Sequence, residues 1–456
     1  MKLKRSSQRS QNQGGLIAEV PQSSGRDQQG VATSKAAKRG FIHSGFALVL
    51  AAAASLIVAS LLTACETLTV DFVFVLSAKA AGSNQYGEIN VFEINSESGK
   101  MRQIPTSPFP SAGRNPVAEA VSADDQNLFV VNQDDNTIVQ FVIGTDGKLY
   151  PFYTVNTPGI FPMAVAVNKA NLFVADTYEP LPLCSNAHPC PGSISVFPLS
   201  GSTSSCTATT CLGSPAVNPA VSGNYWPLTL SGTNANDVIV PTGINVLASG
   251  SYVYVSAYDT STPSPVGYVF GFSVGSGGVL TALSGSPYPA GVQPSAIASD
   301  PSSTYVYVTD YVSGDVLAYT VAAGNLTLMA GSPFPAGNHP AAIVVDPSFS
   351  YAYVANSGDG TVEAYSISNG KLGSLGNSGS RTTYATGLQP IAIGIDPSTN
   401  RYLFTVNFLD NTISNFQMNT STGTLLNAQF SPYATSAQPM AVAAIPHNGT
   451  GGGIQH

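Results

Sequence analysis

With 456 residues, 43% of them hydrophobic, the chain is long enough to bury a large core, yet only 9% of it is charged, against about 25% in an ordinary globular domain. Gly, Ser, Thr, Asn, Pro and Tyr fill the deficit, a composition that suits many strands joined by many turns and leaves few titratable side chains for acid or base work. Eight of the 17 Lys and Arg but only two of the 25 Asp and Glu fall within residues 1–64, so the remainder carries nine cations against 23 carboxylates, a net −14. That balance serves solubility and excludes nucleic acid as a partner, because its phosphates would be repelled.

The first recognisable element is an address. After the basic KAAKRG at Lys35–Gly40 comes an uncharged apolar run ending in Leu62-Thr63-Ala64-Cys65. A basic flank, an apolar segment and small residues before the cut are the layout of a secretory signal. The last four residues resemble the lipobox of bacterial lipoproteins, which implies cleavage before Cys65 and lipid attachment to it. The alternative is an uncleaved anchor helix, since the run approaches the roughly 20 residues that span a bilayer. Either way residues 1–64 are expected to be a leader with a disordered polar extension, and the body to be exported.

From Phe72 onward one text recurs: NLFVVNQDDNTIVQF at Asn127–Phe141, YVYVTDYVSGDVLAY at Tyr305–Tyr319, YAYVANSGDGTVEAY at Tyr351–Tyr365 and YLFTVNFLDNTISNF at Tyr402–Phe416. Each is a pair of period-two apolar strands around a tight polar turn. The longer unit, from Pro294 to Pro340, adds a small-residue strand before the pair and a fourth strand after it. That is a four-stranded antiparallel meander of the size of one propeller blade. The opening proline recurs at Pro116, Pro162, Pro241, Pro294, Pro340, Pro390 and Pro439, and Ser-Pro near the unit's end at Ser107, Ser214, Ser286, Ser332 and Ser431. Six full units leave two complementary fragments. FVFVLSA at Phe72 begins with a second strand, and PMAVAAI at Pro439 supplies only a first. The expected fold is therefore all-β, a seven-bladed propeller over residues 65–446 closed by a composite blade from both chain ends, which removes exposed strand edges. Residues 447–456 are expected to form a disordered Gly-rich tail.

The second strands YVTD at Tyr307, YVAN at Tyr353 and FTVN at Phe404 resemble YVTN propeller repeats, and residues 70–446 resemble the lactonase-type seven-bladed propellers, 6-phosphogluconolactonase-like enzymes among them. The resemblance implies lactone hydrolysis. Family lactonases carry Pro-Arg-His at the start of a blade's first strand, and the matching tripeptides here, such as Pro116-Val117-Ala118 and Pro340-Ala341-Ala342, keep neither the Arg nor the His.

The third unit carries two insertions, EPLPLCSNAHPCPG between its second and third strands and GSTSSCTATTC between its third and fourth. Those connections sit at opposite ends of an antiparallel blade, so Cys184 is expected to pair with Cys190 and Cys206 with Cys211. The alternative, a metal site, has a lone His188 for support.

In a propeller the mouth of the central channel is the expected ligand site. The residues before the opening prolines point there: Asn115, Phe161, Val240, Gln293, His339, Gln389 and Gln438, beside Arg114 and Asn338. The strand ends Asn132, Asp176, Asp310, Asn356 and Asn407 approach the same face. The candidate catalytic residues are His339 and Arg114, a base to activate water and a donor for the oxyanion. Asn115, Gln293, Asn338, Gln389 and Gln438 are the candidate ligand-binding residues. Turn chemistry explains the acidic hairpin Asp134-Asp135-Asn136 without calcium, whose loop spacing is missing. No metal or cofactor is expected. The ring, rigid and poor in catalytic residue types, reads first as a membrane-tethered, exported, monomeric scaffold binding a small molecule or protein at the channel mouth. The alternative is a lactone hydrolase, 6-phosphogluconolactonase-like, with its site at that mouth.

Overall fold

The computed structural model describes residues 69–78, 85–182, 184, 190–201, 206–230, 238–261, 263–375 and 381–447. The leader, Cys65, His188 and residues 448–456 lie outside the described residues. Seven antiparallel sheets follow one another along the chain, and apart from a single 3-10 turn at Ser276–Gly278 the described elements are all strands. Blades are numbered here from the composite one.

Blade 1 joins the two ends of the body. Its innermost strand is Pro439–Pro446, which pairs with Thr69–Ser77, followed outward by Tyr86–Asn95 and Met101–Gln103. The register sets Phe72 opposite Ile445, Val75 opposite Val442 and Ser77 opposite Pro439. The expectation of a composite closing blade holds. Blades 2 to 7 open with Pro116–Val121, Ile160–Val167, Ile239–Val246, Pro294–Ser299, Pro340–Val345 and Pro390–Ile395.

Each opening proline sits at a register shift in its innermost strand, between Pro294 and Ala296 or Pro340 and Ala342 for example. Proline lacks the N–H that a regular ladder would use there, so a bulge accommodates it. The meander differs from expectation in one respect. Six sheets carry a fifth short strand, such as Tyr288–Pro289 in blade 4, which pairs with the third strand beyond the end of the fourth. The recurrent Ser-Pro makes this transition: the Ser107, Ser286, Ser332 and Ser431 hydroxyls accept the third-strand N–H groups of Val91, Gly271, Ala318 and Asn415 at 2.8–3.0 Å.

The core is divided among the interfaces between blades. Val306, Val308 and Leu317 of blade 5 pack with Tyr254 and Val269 of blade 4, and Tyr307 and Ala318 of blade 5 pack with Val345 and Val354 of blade 6. The same pattern continues around the ring to Phe404 and Val406 of blade 7 against Val73 and Phe92 of blade 1, and Phe74 of blade 1 against Val130 and Phe141 of blade 2.

The Tyr-x-Tyr text of the second strands has a specific cause in these interfaces. The buried Tyr254, Tyr307, Tyr353 and Tyr402 hydroxyls donate to the carbonyls of Gly324, Gly370, Gly423 and Ser96, each in the turn between the third and fourth strands of the next blade, at 2.7–3.0 Å. In the first three the tyrosine two positions earlier lies on the same glycine, so that a Cβ at Gly370, whose φ is +76°, would sit 2.2 Å from the Tyr305 ring, and in the fourth the Tyr402 ring itself covers Gly99. Between blades 2 and 3 the buried Gln140 amide takes this part, donating to the Thr210 carbonyl at 2.6 Å and accepting the Leu212 N–H at 3.2 Å.

Both expected disulfides of blade 3 are present, Cys184 to Cys190 and Cys206 to Cys211, with Cα separations of 5.4 and 6.1 Å.

Removing one latch tests this account. Tyr307→Phe leaves the buried Gly370 carbonyl without its donor and should cost about 1–3 kcal/mol. Gly370→Ala adds a clash to a left-handed backbone and should cost about 2–4 kcal/mol. Urea denaturation midpoints read both.

Candidate active site at the channel mouth

The residues before the opening prolines do cluster at the start of the innermost strands, and most of them are occupied in making turns. Asn115, Phe161, His339, Gln389 and Gln438 all adopt φ near +50°. The carbonyls of Asn115, Gln293, His339, Gln389 and Gln438 accept the N–H of the residue that follows the second strand, at 2.9–3.0 Å. The strand ends Asn132, Asp176, Asp310, Asn356 and Asn407 are fully buried. Asp310, for instance, accepts the Val292 and Gln293 N–H groups at 2.6 and 3.0 Å. Asn356 likewise accepts the Gly337 N–H at 3.1 Å, and burial keeps all five off the surface.

Arg114 and His339 are brought to different parts of the ring. Arg114 ends Phe109–Arg114, the fifth strand of blade 1, and its guanidinium pairs with Asp135 in the hairpin of blade 2 at 2.5 Å, while its backbone N–H donates to the same carboxylate at 2.7 Å. Asn115 is similarly engaged, its amide donating to Gln133 at 3.1 Å and to Asp134 at 3.0 Å. His339 lies at the entrance to blade 6 and Arg114 at the entrance to blade 2, with two blades between them one way round and three the other.

Around His339 the surface sinks into an open depression of about 350 Å³, lined by Tyr311, His339, Ser357, Gly358, Asp359, Gly360, Leu388, Gln389 and Leu409. The imidazole is exposed and stacks on the Tyr311 ring, 4.3 Å between centroids and 5° from parallel. Ser357 fixes the backbone beneath it: its hydroxyl and its N–H both donate to the His339 carbonyl, at 2.8 and 2.9 Å. Asp359 accepts the Asn338 amide at 2.7 Å and its N–H at 2.8 Å. Arg381 stands 4.0 Å from Asp359 and is otherwise committed to the buried Glu363, at 2.7 and 2.8 Å. Among the described residues neither the ring nitrogens of His339 nor the Gln389 side chain has a hydrogen-bond partner. Of the sequence candidates, His339 and Gln389 therefore share one depression. Gln293 and Gln438 make their hydrogen bonds through the backbone, and Asn338 stands behind Asp359.

A second cavity, of about 370 Å³, occupies the opposite half of the channel. All seven innermost strands line it with residues such as Val165, Ile244, Ile297, Ile343, Ile393 and Val442, and Asp125, Pro347 and Asp396 reach it from the turns at the far ends of those strands. No residue that precedes an opening proline touches it. Glu119 lines this cavity, and both its carboxyl oxygens are shielded from solvent. Burial pushes it up to about 8, only partly offset by the approaching Ala443 and Leu76 N–H groups. Nearby, burial and then the Asp124 charge raise Asp125 to about 6. Burial and then the Asp396 charge raise Asp71 to about 8. The Glu119 oxygens are shielded from solvent, whereas the His339 imidazole stands exposed in the depression at the other end. Sequence reading passed over Glu119, because PVAEAV reads as a strand with one polar position.

Residues 322–443 match the family model of the lactonase seven-bladed β-propeller. The chain is a seven-bladed β-propeller, and its segment 322–443 is similar to the lactonase family. The matched segment contains every residue lining the His339 depression except Tyr311. No curated protein matches the chain. Among solved structures, a candidate 6-phosphogluconolactonase from Bacteroides fragilis NCTC 9343 is 19% identical, aligning over 83% of this chain and 99% of its own with a TM-score of 0.63. The periplasmic gluconolactonase of Pseudomonas aeruginosa is 17% identical over 83% and 99%, with a TM-score of 0.62. Likeness at this identity establishes the fold.

The sealed carboxyl has a measurable consequence. Because Glu119 is raised in the folded state, its contribution to stability is full below the ordinary carboxylate range and is lost as pH rises through about 8. Glu119→Gln should therefore gain at least about 1 kcal/mol over the parent between pH 5 and pH 9, read as the difference between urea midpoints at the two values.

Proposed function

We propose that the protein is an exported lactone hydrolase with its site in the His339 depression. The observation that carries this reading is that the segment matched by the lactonase family is the segment that builds the depression. The comparisons favour hydrolysis over the binding scaffold that composition alone suggested.

The chemistry follows from the residues present. A lactone seated against the depression presents its carbonyl carbon to a water held by His339. The imidazole takes the water's proton as the C–O bond forms, and the stacked Tyr311 ring keeps its plane fixed. Negative charge then develops on the former carbonyl oxygen, where the otherwise unpartnered Gln389 amide can donate. Collapse breaks the ring C–O bond, and the imidazolium returns its proton to the departing alkoxide. The product is the open hydroxy acid, and no metal or cofactor is required. This reading gives Arg114 no step, since its guanidinium is held by Asp135.

Two disulfides fit an oxidising compartment, and the likeness to a periplasmic enzyme supports export. Tethering through a lipid on Cys65 is part of the proposal. Cys65→Ala should abolish both the incorporation of labelled palmitate and the removal of the leader, and a parent protein that takes up no label would contradict the lipid tether.

The test of activity is direct. The purified body should open a lactone from a panel of sugar, aliphatic and aromatic lactones, followed by acid release. His339→Ala should lower kcat by about 10² to 10⁴, and Gln389→Ala by about 10² to 10³, with folding checked by circular dichroism. Turnover unaffected by His339→Ala would remove the imidazole from the mechanism.

A further inference from the structure

The walls of the same depression carry information about its substrate, on the premise that it hydrolyses lactones. Among the described residues no Lys or Arg lines it, and Asp359 is its one charged lining side chain. Both Asp359 oxygens already accept from Asn338. The guanidinium of Arg381, 4.0 Å from Asp359, is committed to a bidentate pair with Glu363. A phosphate group entering here would meet a carboxylate and no uncommitted cation, in a body of net −14.

The blade 7 side is apolar. Leu388, in the connection entering the blade, and Leu409, in its hairpin, are each 60% exposed, and they are tied side by side by the Leu409 N–H donating to the Leu388 carbonyl at 3.3 Å. Two large aliphatic side chains left in water beside a stacked Tyr-His pair form a surface that gains free energy when an apolar group covers it. Polar ring substituents would gain nothing from that wall.

We propose that the depression takes an uncharged lactone bearing an apolar substituent, with the ester at His339 and Gln389 and the substituent on Leu388 and Leu409, and that it discriminates against phosphorylated sugar lactones. This departs from the substrate in the names of its structural neighbours, and it comes from the absence of a free cation and the presence of the leucine wall.

The experiment compares kcat/KM of the purified protein on δ-decalactone, δ-valerolactone, gluconolactone and 6-phosphogluconolactone. The alkyl lactone is expected to exceed the phosphorylated one by about tenfold or more. Leu388→Ser and Leu409→Ser should each lower kcat/KM on δ-decalactone by about tenfold while changing that on δ-valerolactone by less than about twofold, since the unsubstituted ring does not reach the wall. Leu409→Lys should raise the relative rate on 6-phosphogluconolactone. Preference for the phosphorylated lactone, or leucine variants that leave the decalactone-to-valerolactone ratio unchanged, would overturn the inference and leave the hydrolase reading standing. Turnover of none of the four would overturn both.

Discussion

The structure depends on a pairing between the two ends of the body. Seven wedge-like sheets packed face to face leave one gap, and a first strand supplied by Pro439–Pro446 fills it against Thr69–Ser77. Each blade then has two neighbours, and each interface between them has a hydrophobic core. No blade owns a core of its own, so the stability of any one is borrowed from the ring. Closure also converges seven small-residue strands on one axis, which creates the channel and sets the loops around its mouth.

Much of this architecture was legible because the repeat writes its packing rules in residue types. Tyr-Val-Tyr-Val marks a second strand because one ring must lie on the glycine of the next blade while the other reaches its carbonyl. Proline marks the innermost strand because a bulge there needs no N–H. The Asp of the Asp-Pro-Ser turns follows from capping: Asp300 and Asp346 each accept N–H groups from the start of the following strand, Tyr305 and Tyr351 among them. Local chemistry of this kind repeats and can be aligned. The fifth strands escaped notice because four of the six are only two residues long and carry no periodicity, and the Ser-Pro that precedes most of them reads as a loop.

The site was less legible, for the opposite reason. Its geometry is made by contacts between blades that occur once. His339 could be listed as a polar residue before a proline, but nothing in sequence announces that Tyr311, 28 positions earlier, stacks on it. Arg114 had the right chemistry and position along the chain, and the hairpin carboxylate of Asp135 claims it. Most amides and carboxylates at the channel mouth have the same fate, used up in satisfying backbone N–H groups that tight turns would otherwise leave bare. What remains for a ligand is the small set these turns do not need, His339 and Gln389 beside two exposed leucines.

Closure is the claim on which every placement rests, and a chain ending at Gln438 tests it most directly. Its urea denaturation and its size in solution would be compared with those of the intact protein. Without the innermost strand of blade 1, the truncated chain should lose its cooperative transition and associate through the freed edge of Thr69–Ser77, and a synthetic peptide spanning residues 439–447 should restore a monomer. A truncated chain that stays monomeric and unfolds at the parent's midpoint would contradict the closed ring.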